Sequence, residues 1–182
     1  MDRAFGDGAL PLGKRQPIEE YIDTVVPAYG AFMNELANEV GEQLYVYENS
    51  ILYCIGADRP ERFDLYTANT FLPKGLPVER VREIGDKYFF PIGLDHVTTP
   101  GDEKSTDIFW HDPENGGWVV ISVGQRMAAD AVSGIRPGSL SREYCANPLL
   151  PDWEKPLPSI DVYNTLQSGQ EPQSSSPAQS GN

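Results

Sequence analysis

The sequence predicts an α+β fold: a twisted mixed or antiparallel sheet with helices packed on one side. Three observations predict it. Apolar residues recur at helical spacing between Ile18 and Val40, two pairs of β-rich runs flank short polar turns, and a second helical pattern lies between those pairs. Helices and strands grouped in this way, without regular βα alternation, point to an α+β layering. With 182 residues and 40 % hydrophobic residues, the chain is long enough and apolar enough to bury one core.

Residues 1–16 are Gly-rich with scattered charge and are expected to form a flexible arm. A single domain is expected over 17–146. Pro17 suits a first helical turn, and Ile18, Ile22 and Val25 follow at helical spacing. Pro27 removes a backbone donor, so the pattern is expected to split there. The second segment, 27–40, has Tyr29, Phe32, Met33, Leu36 and Val40 on one face and Gly41 as its stop.

Leu44–Glu48 and Ile51–Gly56 flank Glu48-Asn49-Ser50 and predict a hairpin, and Phe63–Thr67 predicts a short strand. Pro77–Tyr88 reads as a helix with Val78, Val81 and Ile84 inward. Tyr88–Leu94 is apolar but holds Pro91, which predicts an edge strand, and 95–105 reads as a polar loop. Thr106–Asp112 and Gly117–Gly124 flank Pro113-Glu114-Asn115-Gly116, a second hairpin. Met127–Ser133 and Ser139–Cys145 are expected as short helices. A Pro-rich strap is expected over 147–163. In 164–182 there is no aromatic and a single charge, Glu171, which predicts a disordered tail.

Fourteen Lys+Arg against 27 Asp+Glu leave a net charge of −13, so the surface repels polyanions and nucleic acid is excluded as the partner. The first twenty residues contain no apolar signal core, and no run approaches the length of a membrane span; a cytoplasmic protein with no membrane partner is expected. Cys54 and Cys145 lack metal or redox spacing and are expected as reduced thiols.

Gly8 to Arg15 (GALPLGKR) imitates a phosphate-binding loop, but Arg15 stands where the magnesium-binding hydroxyl belongs and no strand precedes it. The two histidines, His96 and His111, have no nucleophile elbow beside them. His96, Asp102, Glu103, Asp107, His111 and Asp112 fall within seventeen positions and offer material for a divalent ion, but at neither HExxH nor EF-hand spacing. On a strand, Asp107 and His111 share a face and Asp112 takes the other. No cofactor is expected.

The run Val25–Gly41 (VVPAYGAFMNELANEVG) resembles the LP-x-x-[YF]-x-x-F-[LM] helix of the SUKH superfamily of bacterial toxin-immunity proteins and fungal cell-wall synthesis regulators. Pro91-Ile92-Gly93, Asp95, Gly101-Asp102, Ile108–Asp112 and Trp118-Val119-Val120 resemble its second hallmark. The resemblance implies an α+β sheet with one-sided helices and a non-enzymatic role, binding a toxin or effector protein and blocking it. An acidic surface complements a basic effector. The partner-binding face expected on this reading is Asp95, Asp102, Glu103, Asp107, Asp112 and Glu114. The alternatives are a small metal-dependent hydrolase using the His96/Asp107/His111 region, or a phage or structural assembly component docking through its C-terminal segment.

Overall fold

In the computed structural model, residues 8–47, 54–55, 64–67, 69–133 and 157–160 are described. Helix α1 (Ile18–Val40) buries one stripe, in which Val25, Val26, Tyr29, Phe32, Met33, Leu36 and Val40 meet the core. It runs unbroken through Pro27, where the pattern predicted two segments. Pro27 lies on the exposed side, so water can take the carbonyl it frees. Burial of the stripe on both sides of it outweighs a proline penalty of about 3 kcal/mol.

Helix α2 (Val78–Phe89) packs against α1 and turns Val81, Ile84, Gly85 and Phe89 inward. A 3-10 turn, Phe90–Ile92, continues it and ends at Gly93, whose φ of 89° is left-handed. The expected edge strand over Tyr88–Leu94 is therefore helical. The helical spacing of Val81, Ile84 and Phe89 governs this run, and Pro91 is accommodated within a 3-10 turn.

Among the described residues the sheet has nine strands: β1 (Tyr45–Tyr47), β2 (Cys54–Ile55), β3 (Asp64–Tyr66), β4 (Thr70–Leu72), β5 (His96–Thr98), β6 (Thr106–His111), β7 (Gly117–Val123), β8 (Met127–Ser133) and β9 (Ser159–Ile160). Its main path is β5-β6-β7-β8-β4-β1-β9, with β3 also on β8 and β2 on β3. All pairings are antiparallel except β1 with β9, so the sheet is mixed. Both helices lie on one side of it. Ile108, Trp110, Val119, Ile121, Met127, Ala129 and Ala131 face them in strict alternation. The α+β class is as expected.

Three further expectations differ. The first hairpin does not form, because β1 pairs with β4 and β9 while β2 pairs with β3; residue type predicted the strands, and distant chain supplied the partners. Met127–Ser133 is a central strand, not a helix: ladders from β7 on one side and β3 and β4 on the other override the helical preference of Met and Ala. The loop 95–105 contains strand β5.

The expected arm is held in part. Ala9 and Leu10 donate backbone N–H groups to the Pro113 and Glu114 carbonyls at 2.9 and 3.0 Å, and Leu12 is buried in the core. Residues 1–7, the expected helix at Ser139–Cys145, the tail and all of the strap but 157–160 lie outside the described residues. Among the described residues no helix is long and apolar enough to cross a membrane.

Candidate functional site

The hairpin β6–β7 carries Asp107, Asp112 and Glu114 of the residues expected at a binding face. Its two strands and the turn between them are where the sequence predicts them, and the ladder runs from Thr106 opposite Val123 to His111 opposite Trp118. The turn is held by Asp112, whose Oδ1 accepts the Glu114 and Asn115 backbone N–H groups at 2.9 and 2.8 Å while Oδ2 accepts the Asn115 side-chain amide at 2.9 Å. Gly116 closes the turn at a φ of 83°, where a side chain would be strained. Asn115 then accepts the Gln16 backbone N–H at 2.6 Å, tying the arm to the turn.

The six expected acidic residues do not form one face. Asp102, Glu103 and Asp107 lie at the Thr106 end of β6. Asp95, Asp112 and Glu114 lie at its other end, about 17 Å away along the strand. Three of the six have structural work. Asp102 accepts the backbone N–H groups of Lys104 and Ser105, which hold its carboxyl below the ordinary range. Asp107 accepts the Ser122 hydroxyl at 2.6 Å, and Asp112 builds the turn. Asp95, Glu103 and Glu114 are exposed.

The histidines do come together. His96 faces His111 across β5 and β6, with ring centroids 5.8 Å apart, and Thr98 Oγ1 lies 2.9 Å from His111 Nε2. Burial, then the charge of His96, push the His111 imidazole below its usual pKa. Phe109 stacks on His111, and Trp118 stands 6.4 Å from it. Asp107 is four residues down β6, about 13 Å from this pair, so it adds no ligand. Among the described residues no group of three His, Cys, Asp or Glu is placed to hold a metal ion.

Two features had no sequence signal. One is a cleft of about 820 Å³ between the β4–α2, β5–β6 and β7–β8 connections, with Leu76, Val78 and Val123 on its apolar side and Glu103, Lys104 and Gln125 on its polar side. The backbones beneath it touch closely, since a Cβ on Gly75 would lie 1.9 Å from the Gly124 carbonyl oxygen. The other is Asp130 on β8, on the sheet face away from the helices. Its carboxyl accepts no hydrogen bond among the described residues, and burial pushes its pKa up to about 6.

The outer faces of the helices carry ion pairs. Arg80 bonds Glu39 at 2.6 Å and Glu83 at 3.0 Å, and Lys87 bonds Glu35 at 2.9 Å. Glu35 also accepts the Tyr88 hydroxyl, and these two bonds lower its pKa.

A family model described as "Domain of unknown function (DUF4853)" matches residues 14–141. The chain belongs to the DUF4853 family. A crystal structure of a DUF4853 family protein from Actinomyces odontolyticus ATCC 17982 is similar over 83 % of this chain and 82 % of that one, at 21 % identity and a TM-score of 0.56. That likeness shows a shared fold. No curated protein matches the chain. The DUF4853 match begins at Lys14, the last residue of a short 3-10 turn (Leu12–Lys14) before α1, and extends past β8, so both helices, the β6–β7 hairpin and all six acidic positions lie inside it.

Proposed function

We propose that this DUF4853 domain is a non-enzymatic, cytoplasmic protein-binding module of immunity type. It neutralises a basic toxin or effector by covering it with an acidic surface. The observation that carries this reading is charge: the chain is −13 overall, and Asp95, Glu103 and Glu114 stand exposed on the connections at the two ends of β6. Exposed carboxylates of this kind steer a basic partner toward the surface that carries them. The similarity of Val25–Gly41 and Phe89–Ser122 to the SUKH superfamily supports the same role. The hydrolase alternative lacks a ligand set among the described residues, where Asp107 is bonded to Ser122 and distant from the histidines.

The test is a pull-down from the native cell with the tagged full chain, run at low and at high salt. A stoichiometric partner of net positive charge, lost as salt rises and inhibited by equimolar chain once purified, is the expected result. No stoichiometric protein partner at low salt overturns the reading.

A further inference from the structure

The two ends of the molecule differ in a way that assigns a contact surface. At one pole the β6–β7 turn, the start of β5, the arm, the first turn of α1 and the end of α2 converge. His96 opposite His111 brings Asp95 beside Asp112 one position further on, and the Gln16 bond to Asn115 sets the start of α1 against the turn. This pole carries Glu19, Glu20, Asp23, Asp95, Asp112 and Glu114 against Lys14 and Arg15, so its sum is 2 − 6 = −4. None of the six acids is ion-paired among the described residues. At the opposite pole Arg80 clamps Glu39 and Glu83, and Lys104 stands beside Glu103 in the cleft.

The acidic pole also carries Phe90, the large hydrophobic residue that stands exposed among the described residues, at 42 %. It projects because α2 turns its neighbour Phe89 into the core, leaving the next position outward. Pro91 and the left-handed Gly93 hold it, with the Gly93 N–H on the Phe90 carbonyl at 3.2 Å and the Leu94 N–H on the Phe89 carbonyl at 3.1 Å. An aromatic anchor already fixed in place loses little freedom on binding, and a polar rim around such an anchor is the ordinary anatomy of a protein interface.

We infer that Phe90, five residues before the exposed Asp95 that stands beside the β6–β7 turn and its exposed Glu114, is the anchor by which this pole docks on another protein. The partner surface offers an apolar pocket with a basic rim. This rests on the basic-partner reading above and names the face that reading uses.

The experiment places the photoreactive residue p-benzoylphenylalanine at position 90 of the full chain and, in a second variant, at position 103 in the cleft. Each is irradiated in the native cell and its adducts are identified by mass. The expected result is an adduct from position 90 with a chain of net positive charge, its yield falling about tenfold when Asp95→Lys and Glu114→Lys are combined. Phe90→Ala and the double variant are expected to melt as the parent does, since all three side chains are exposed. An adduct from position 103 alone leaves the basic-partner reading standing and overturns this face. An adduct with a second copy of the chain makes the pole a self-association surface and overturns the inference. No adduct at either position overturns both.

Discussion

Gly85→Ala separates local propensity from tertiary packing in sign. Gly85 lies inside α2, where replacing Gly with Ala ordinarily stabilises a helix by about 1 kcal/mol. Here a Cβ would lie 2.1 Å from Trp110 Cζ2, against an ordinary contact of 3.4 Å or more, so the indole must retreat by at least 3.4 − 2.1 = 1.3 Å. It has little room. Trp110 is fully buried, its ring centre is 5.5 Å from Phe32 and 5.1 Å from Phe89, and its indole N–H donates to Asp86 at 2.8 Å. Overpacking of this kind costs about 1–3 kcal/mol, and loss of the bond to a carboxylate adds about 1.5 kcal/mol. After the helix gain the expected change is a destabilisation of about 2 kcal/mol. For a domain of this size that lowers the melting temperature by about 4–8 °C. Thermal melting followed by far-UV circular dichroism reads it, and the near-UV tryptophan signal is expected to change with it. A melting temperature equal to or above the parent's refutes the packing of α2 on β6.

The core contains a matched pair of tyrosines with opposite expectations. Tyr21 hydroxyl is buried with no partner among the described residues, so Tyr21→Phe is expected to leave stability unchanged or raise it by up to about 1 kcal/mol. Tyr29 hydroxyl lies 2.7 Å from Thr70 Oγ1 and donates to the Ala129 carbonyl at 2.9 Å, so Tyr29→Phe is expected to cost about 1–3 kcal/mol by urea denaturation. Burial pushes the Asp130 carboxyl up to about 6 from the ordinary 3.8, so the folded chain binds the extra proton between those values. Its contribution to stability therefore falls as pH rises through that window, by up to about 3 kcal/mol. Asp130→Asn is expected to be more stable than the parent at pH 7.5 and to lose that advantage near pH 4, and equal differences at the two pH values contradict the burial of this carboxyl. Asp112→Ala removes three hydrogen bonds at the β6–β7 turn and loosens Asn115 under the arm. The expected result is faster hydrogen exchange at Ala9, Leu10 and Gln16, with about 1 kcal/mol lost overall.

The candidate site was half legible. The β6–β7 hairpin could be read because its register is set by adjacent chain: alternating Ile108 and Trp110 against Val119 and Ile121, and a turn whose Asp, Asn and Gly carry their own geometry. The acidic residues could be named, but not their separation to two ends of β6, since that depends on where 95–105 crosses the sheet. The apolar run Tyr88–Leu94 predicts a strand through Phe90, and only the packing of Phe89 into the core makes Phe90 an exposed knob at a helix end.

The α+β class, the two helical stripes, the second hairpin and the acidic charge are legible in the chain before it folds. Each follows from periodicity, turn chemistry or composition within a short window. Tertiary structure alone decided which strands pair, because β1 finds β4 and β9 across long stretches of chain. It also decided that α1 continues through Pro27 and that Met127–Ser133 is a strand. In both, burial against several neighbours at once outweighs a local preference of a few kcal/mol or less, and no window of sequence contains those neighbours.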